Sequence, residues 1–387
     1  MPAAIGTTVT GIQYMQNVLK LVFRKSFMTK VTNRDFFTPG DDDPKTTKSI
    51  RSKNQKFTIS TLLSNGWSSY SGSDLSFADA QEIVSTLTID TFKALQDKIM
   101  SLGMFKSSVA DPRSAVIESA GGKLKAMLDK AVLGFYTDAG SGNWLGTSYT
   151  TGTVTVTVTT GAVVGVGTTF AASMVGKPFK AAGHSKWYRV KTYTDATNIV
   201  IENDSDDEAS AYDGGAISGG SAYEIQANTK VAITKSNIAA QLAMASQLLD
   251  EAHGANDELQ VPAEDRFIIL PAVAKSPLLT ASEFNRDIER VYGDTVERGM
   301  VARAYGFDIY IAPSSWFTGD NTNGYNCLFG HKSFLTAGFG FIEPVSIIDA
   351  KDNQTNFGDK IKGLFGFGFK VADIRRMCGG NLYANFS

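Results

Sequence analysis

A stretch of about eighty residues near the middle of the chain limits its fold more than any other feature. Residues 153–159 read TVTVTVT, which is the two-residue alternation of a β-strand. Gly161, Gly165 and Gly167 follow, where we expect a tight turn or a bulge. Further strands are predicted at 186–190, 198–201 and 223–225. Residues 147–226 are therefore predicted to form a small all-β barrel or sandwich.

Sequence with helical periodicity lies on both sides of this stretch. Residues 111–137 carry apolar residues at three- and four-residue spacing, with Asp111 as N-cap and Pro112 in the first helical position. Residues 235–253 repeat the pattern, with Ser236 as the expected cap. Because strand-rich and helical segments are separated along the chain, we predict an α+β fold with an inserted all-β domain.

The first ninety residues cannot form a core by themselves. Residues 1–55 are predicted to be an extended arm with one amphipathic helix over 10–30, since the proline- and aspartate-rich stretch 38–45 cannot pack. Residues 56–90 are predicted to be a long β-excursion with a Ser- and Gly-rich tip. A two-stranded ribbon needs support from other structure. We therefore expect both segments to lie on another copy of the chain.

Charge is distributed unevenly along a chain whose formal net charge is -2. Residues 1–60 hold ten Lys and Arg against four Asp, whereas residues 150–226 hold five basic against eight acidic residues. A basic arm and an acidic middle favour contacts between copies or with a polyanion. The residues that we expect to make contacts between subunits are basic residues of the arm and aromatic residues of the ribbon tip: Arg24, Lys25, Arg34, Trp67, Tyr70 and Phe77.

Chemistry-bearing residues are few, with 3 His and 2 Cys in 387 residues. Cys327 and His331 are four residues apart, but a metal site needs a further ligand and none is suitably spaced. The acidic stretch 204–208 lacks EF-hand spacing and is predicted to be a solvated loop. The glycines of 363–368 match no phosphate-binding motif. We predict no catalytic residue, no cofactor, no metal and no membrane span.

Several phrases in the last third of the chain have a recognisable order. They are VPAEDRFIILP at 261–271, YGFDIYIAP at 305–313, LFGHK at 328–332 and DKIKGLFGFG at 359–368. Together with the basic arm, the β-excursion and the long helix, they resemble the major capsid proteins of tailed bacteriophages of the Hong Kong 97 type. The resemblance covers the chain outside the β-rich insertion.

The resemblance implies a layout and a function. Its expected parts are an N-terminal arm (1–55), an extended loop (56–90), a peripheral domain with its spine helix (91–146 and 227–260), an inserted β-domain (147–226), an axial domain (261–330) and a return to both domains (331–387). It implies hexamers and pentamers that close into an icosahedral shell around double-stranded DNA. It also implies a virion location after synthesis in the bacterial cytoplasm. Implied partners are a scaffolding protein, a portal, a decoration protein and DNA bound without sequence specificity.

Three other functions fit the same features less well. An encapsulin-like compartment shell would share the fold, but no cargo-docking pocket is identifiable. A tail-tube or decoration protein is suggested mainly by the β-rich insertion. An enzyme with an unfamiliar site is the third alternative.

Overall fold

The computed structural model describes eight stretches of the chain: residues 26–33, 56–63, 81–100, 112–204, 211–252, 260–281, 300–348 and 358–387. Within them lie four helices, which are α1 (Met28–Val31), α2 (Pro112–Leu133), α3 (Ile238–Glu251) and α4 (Lys275–Thr280). The predicted helix over 10–30 falls mostly outside these stretches.

Twenty-two strands occupy much of the remaining described chain. The strands before α2 are β1 (Thr32–Asn33), β2 (Lys56–Leu63), β3 (Gln81–Thr88) and β4 (Thr91–Met100). Those between α2 and α3 are β5 (Trp144–Leu145), β6 (Thr147–Tyr149), β7 (Thr153–Val156), β8 (Ala162–Val166), β9 (Pro178–Ala181), β10 (Tyr188–Asp195), β11 (Asn198–Asn203), β12 (Ile217–Ser221), β13 (Tyr223–Thr229) and β14 (Val231–Ile233). Those after α3 are β15 (Arg266–Pro271), β16 (Met300–Ala304), β17 (Phe307–Ala312), β18 (Gly319–Asp320), β19 (Gly324–His331), β20 (Leu335–Ile348), β21 (Gly358–Lys370) and β22 (Gly379–Phe386).

The chain divides into two compact units, each made of separate segments. The first contains the described residues of Met1–Asn65, Phe77–Val132 and Leu335–Lys370. It holds α2 and a four-stranded sheet in the order β1-β20-β21-β4, together with the two-stranded ribbon β2-β3. β20 and β21 form a long antiparallel pair, and β4 lies antiparallel on the other side of β21.

The predicted helix over 111–137 is present as α2, followed by a 3-10 turn over Gly134–Asp138. Pro112 occupies its first position, as expected. The Gly121-Gly122 pair was expected to mark a kink or a close contact. The helix runs through it without interruption, and a Cβ added at Gly122 would meet nothing within 4 Å.

The second unit contains the described residues of Leu133–Phe334 and Val371–Ser387. One of its two sheets has the order β14-β22-β19-β15-β17-β16, with β18 on β19 and β5 on β22. β15 is buried at every residue, as its continuous apolar sequence predicts. α3 begins at Ile238 with Asn237 as N-cap, so the prediction that Ser236 caps it is wrong. The Asn237 side chain accepts a hydrogen bond from the Thr234 amide at 2.8 Å, which fixes the start of the helix one residue later.

The other sheet of this unit has eight strands in the order β12-β7-β8-β11-β10-β9-β13-β6. Alternate residues of its strands, such as Val154, Phe179, Ile199 and Ile225, enter one buried cluster. Ile217 of β12 and Tyr149 of β6 also pack on that cluster. Because β12 and β6 are the two ends of the strand order, the sheet is rolled around a single core. We call the described residues of 147–229 the rolled sheet.

Gly161 allows the tight connection between two neighbouring strands of the rolled sheet. Its φ is +63°, and a Cβ there would lie 2.2 Å from the carbonyl oxygen of Ile201. The Gly161 amide donates to the Thr157 carbonyl oxygen at 3.2 Å, which closes the turn between β7 and β8. The expected turn at this glycine is therefore present.

Two of the strands that the sequence did not predict are β4 and β22. β4 carries Lys93, Asp97 and Lys98, which break its apolar pattern, and it is held by ten-residue pairing with β21. β22 begins with Gly379-Gly380 and lies between β14 and β19. The strand predicted over 364–374 ends at Lys370 and is followed by a 3-10 turn over Asp373–Cys378.

Candidate functional site

The six predicted contact residues lie outside the described part of the chain. Arg24 and Lys25 immediately precede the first described stretch, and Arg34 immediately follows it. Trp67, Tyr70 and Phe77 lie between β2 and β3. Their role stays a prediction, and the structure instead describes the elements that lead into them.

The ribbon leads toward the segment that holds the three aromatic residues. β2 and β3 pair in register over eight residues, from Lys56 opposite Thr88 to Leu63 opposite Gln81. At its base Leu87 is fully buried, whereas Val84, three residues farther along, is 55% exposed. Because side chains alternate along a strand, Leu87 and Val84 lie on opposite faces of β3. One face of the ribbon is therefore buried at its base, whereas the other presents an apolar side chain to solvent.

The base of the ribbon is held by close packing against β21. Ile89 is fully buried, with Phe57, Phe92 and Ile342 packed against it. A Cβ at Gly368 would lie 2.1 Å from the carbonyl oxygen of Thr88, so any side chain there would displace the ribbon base. The glycines of 363–368 are thus strand residues of β21 rather than a phosphate loop, as the absence of a motif indicated.

The short stretch 26–33 is anchored in the first unit by a buried carboxylate. Asp129 of α2 is fully buried and accepts hydrogen bonds from the Ser26 hydroxyl, from the Met28 amide at 3.0 Å and from the Lys125 ammonium at 2.9 Å. Burial raises the pKa of the Asp129 carboxyl, against the opposing effect of Lys125. β1 then pairs parallel with β20.

This anchor corrects part of the prediction for residues 1–55. The segment was expected to be an extended arm that orders itself only against something else. Phe27, Met28 and Val31 are instead buried within the chain's own first unit. Any role in contacts between copies must therefore belong to residues on either side of 26–33.

A cluster of two arginines and one aspartate joins the rolled sheet to the C-terminal segment of the same unit. Asp204, at the end of β11, forms ion pairs with Arg189 of β10 and with Arg376. Its side chain is 11% exposed and also accepts a hydrogen bond from the Ser141 amide at 3.0 Å. Burial alone would raise the pKa of the Asp204 carboxyl, but the two arginines hold it below its ordinary value.

The cluster corrects the expectation for the acidic stretch 204–208. Asp204 was predicted to open a solvated loop, but most of its side chain is shielded from solvent between the Arg189 and Arg376 guanidinium groups. Residues 205–208 lie outside the described chain. Arg189 also donates to the Ala139 carbonyl oxygen at 2.7 Å, and its guanidinium lies 5.3 Å from the centre of the Trp144 ring. These contacts hold the rolled sheet against the segment that precedes it.

His184 is part of a hydrogen-bond chain inside the rolled sheet. Its Nδ1 accepts from the Ala181 amide at 3.3 Å, so the ring proton is assigned to Nε2, which lies 2.9 Å from the Tyr212 hydroxyl. Tyr212 in turn donates to the Gly215 carbonyl oxygen at 2.7 Å. Burial, with a smaller effect of Lys180, lowers the pKa of His184. The neutral imidazole is the form that fits this chain of hydrogen bonds.

Cys327 and His331 do not form a metal site. Both lie on β19, where a separation of four residues corresponds to about 13 Å. His331 pairs instead with the Ser333 hydroxyl at 2.7 Å, and burial raises the pKa of the Cys327 thiol. Among the described residues no group of three His, Cys, Asp or Glu side chains could hold a metal ion. None of the described helices has both the length and the apolar character needed to cross a membrane.

Comparison with known proteins gives structural likeness without sequence likeness. No family model matches the chain, and no curated protein sequence matches it. It is similar to a chain from Mycobacterium phage Che8, at 13% identity and a TM-score of 0.49, covering 94% of this chain and 91% of that one. It is also similar to the capsid of Ralstonia phage GP4, at 9% identity and a TM-score of 0.48. That match covers 93% of this chain and 90% of the other. A third similarity is to the capsid of Cyanophage P-SCSP1u, at 15% identity and a TM-score of 0.46. That match covers 88% of this chain and 86% of the other.

All three are phage structures. The identities lie below 25% and the TM-scores below 0.5. The likeness is therefore extensive but loose, and the function proposed below rests on the chain's own geometry.

Proposed function

We propose that this chain is the major capsid protein of a tailed bacteriophage and assembles into hexamers and pentamers that form an icosahedral shell around double-stranded DNA. The observation that carries the proposal is the projecting ribbon. Its base is fixed by Ile89 and Gly368, whereas Val84 is exposed above that base. Such a ribbon gains stability when another copy covers it.

The same geometry supports the layout of the shell protein. The rigid parts are the sheet of the first unit and the two sheets of the second. The parts proposed to reach other copies are the arm outside 26–33 and the ribbon tip, including Arg24, Lys25, Arg34, Trp67, Tyr70 and Phe77. A closed shell repeats each contact in every copy, so weak individual contacts are sufficient. The proposal includes the division into peripheral, axial and inserted β-domains. It also includes synthesis in the bacterial cytoplasm.

The partners also belong to the proposal. A scaffolding protein, a portal and a decoration protein are what such a shell requires for its size, its single opening and its outer surface. The basic arm suits contact with packaged DNA through phosphates, without recognition of sequence.

A pair of matched substitutions tests the assembly role of the ribbon. Val84→Asp places a charge on the exposed ribbon, and Val166→Asp places the same charge on the rolled sheet, where Val166 is 69% exposed. Neither should change monomer stability by more than about 0.5 kcal/mol, because both sites face solvent in the single chain. In an assembled shell the ribbon charge would be buried without a partner, which is strongly unfavourable.

We expect Val84→Asp to abolish closed particles in negative-stain microscopy and sedimentation, while Val166→Asp assembles normally. A Val84→Asp variant that forms normal shells would contradict the role given to the ribbon. Assembly of the unmodified chain into open tubes would favour a tail-tube protein, and a monomer with measurable turnover would favour an enzyme.

A further inference from the structure

A cavity of about 300 Å³ lies in the second unit where the rolled sheet meets the neighbouring sheet. The residues that matter here are three aromatic rings, one lysine and two asparagines: Tyr136, Trp144, Tyr383, Lys177, Asn228 and Asn326. We call this cavity the basal pocket. Its volume is at the lower end of the range for small-molecule sites. None of these residues takes part in the ribbon or in the anchors described above, apart from Trp144.

Lys177 is the cation of the basal pocket, and its surroundings do not balance its charge. Its ammonium donates to the main-chain carbonyl oxygen of Asn228 at 3.0 Å and lies 5.3 Å from the centre of the Tyr383 ring. Among the described residues no carboxylate lies within ion-pair distance of it. An ammonium has three donors, so the carbonyl alone leaves it short of acceptors. Burial lowers the pKa of Lys177 to about 8, because the charged form is poorly solvated there.

The carbonyl that meets Lys177 is presented by an irregular piece of backbone. The pairing of β13 with β6 shifts register between Ile225 and Thr229, and Ala227 within that shift has a φ of +47°. A non-glycine residue in this region costs about 1 kcal/mol or more. A Cβ at Gly146 would lie 2.7 Å from the Ala227 Cα, so the neighbouring strand leaves no room to relax the bulge by moving closer.

Aromatic rings form the apolar walls of the pocket. Tyr136 and Trp144 lie with ring centres 6.3 Å apart, and Tyr383 is placed by a hydrogen bond from its hydroxyl to the Asn323 carbonyl oxygen. The Asn326 side chain is held from the other side by Asn381 at 2.9 Å. A half-buried cation, flat apolar walls and an amide suit the binding of an aromatic or aliphatic carboxylate.

We propose that the basal pocket binds a small organic carboxylate, whose anionic group pairs with Lys177 and whose apolar body lies against the rings of Trp144, Tyr136 and Tyr383. The anion supplies the acceptors that the ammonium lacks, and the ammonium is held ready by the Asn228 carbonyl. This binding is separate from assembly and does not depend on the function proposed above.

Benzoate is a suitable probe, and benzamide is its uncharged counterpart of the same shape. Each is titrated into the full-length, unassembled chain at pH 6.5 by calorimetry, where Lys177 is charged. We expect saturable benzoate binding and at least about tenfold weaker benzamide binding, because a charged hydrogen bond contributes about that factor. Equal affinities for the two, or no benzoate binding, would overturn the proposal.

Two variants locate the binding. Lys177→Met removes the charge but keeps the apolar stem, and Lys180→Met is the matched control. Lys180 lies on β9, near the Trp187 ring at 5.7 Å, and does not line the pocket. We expect benzoate affinity to fall about tenfold or more with Lys177→Met and to stay within about twofold with Lys180→Met. A loss shared equally by both variants would mean that only general charge attraction is involved and would also overturn the proposal. The benzamide comparison needs no variant and stands if Lys177→Met fails to fold.

Discussion

The ribbon and the rolled sheet are both antiparallel β-structure, but they bury their apolar residues in opposite ways. The rolled sheet brings the two ends of its strand order onto one cluster that includes Val154, Phe179 and Ile225. The ribbon has only two strands and keeps Leu87 buried at its base while Val84 is exposed. Because the rolled sheet closes around its own core, it is stable by its own packing. The ribbon has no such core and depends on a neighbouring structure for stability.

The comparison is tested most severely by separating the two regions. We expect residues 147–229, expressed alone, to fold and to unfold cooperatively on heating, since their core is complete. Residues 56–90 alone should show no stable structure by circular dichroism or NMR. A disordered fragment 147–229 would mean that its stability comes from the anchors rather than from its own core.

Shortening a core side chain of the rolled sheet is expected to lower the free energy of unfolding of the full chain substantially. Phe179 is fully buried and stacks on Tyr223 at 5.7 Å between ring centres, so Phe179→Ala should cost about 3 to 5 kcal/mol. Phe57→Ala, at the half-buried ribbon base, should cost roughly 1 kcal/mol. Urea unfolding of the two variants in the full chain measures the difference. Equal losses would remove the distinction between the regions.

The ion pairs of Asp204, which hold the rolled sheet in place, are expected to contribute somewhat less to the free energy of unfolding than the Phe179 side chain does. Asp204→Ala leaves Arg189 and Arg376 buried without their shared carboxylate and should cost about 3 kcal/mol. Asp213→Ala is the control, because Asp213 pairs with Lys186 at 2.7 Å in an exposed position, where such pairs contribute about 0 to 1 kcal/mol. Unfolding midpoints that fall equally for both variants would contradict the role of Asp204 as an anchor.

The smallest expected effect is a loss of folding stability at acidic pH through His184. The pKa of His184 is lower in the folded chain than its ordinary value of 6.5, so the unfolded chain binds the proton more readily. Stability contributed by the neutral ring is therefore complete above pH 6.5 and is lost as pH falls below it. The slope cannot exceed about 1.4 kcal/mol per pH unit for one proton. Unfolding measured from pH 7.5 to 5 should show this decline, and His184→Gln should remove it. An unchanged slope in His184→Gln would assign the decline to another group.

Local sequence patterns predicted an element correctly where the segment itself carries the pattern that determines its structure. The alternation of 153–159, the Pro112 start of α2 and the apolar run of β15 each correspond to an observed element. β4 was missed because its stability comes from β21, which lies more than 250 residues away along the chain. The shielded position of Asp204 was missed for the same reason, since Arg376 is 172 residues distant.

The basal pocket was not predictable from the sequence. Lys177 and the rings of Tyr136, Trp144 and Tyr383 come from separate segments, and nothing near Lys177 in the sequence distinguishes it from the other lysines of the rolled sheet. Its position depends on the bulge at Ala227, which is itself a result of pairing between β13 and β6. The predicted contact residues could not be compared with the structure, because all six lie outside its described part.

The ends of the rolled sheet have one more consequence. The chain reaches it at Thr147 and leaves it at Thr229, and these two residues are register partners in neighbouring antiparallel strands. Paired residues of this kind are about 5 Å apart at their Cα atoms. A peptide or protein with closely spaced termini could therefore replace the rolled sheet without stretching the host chain. Thr147 and Thr229 are therefore suitable junctions at which to join a foreign domain to the rest of the chain.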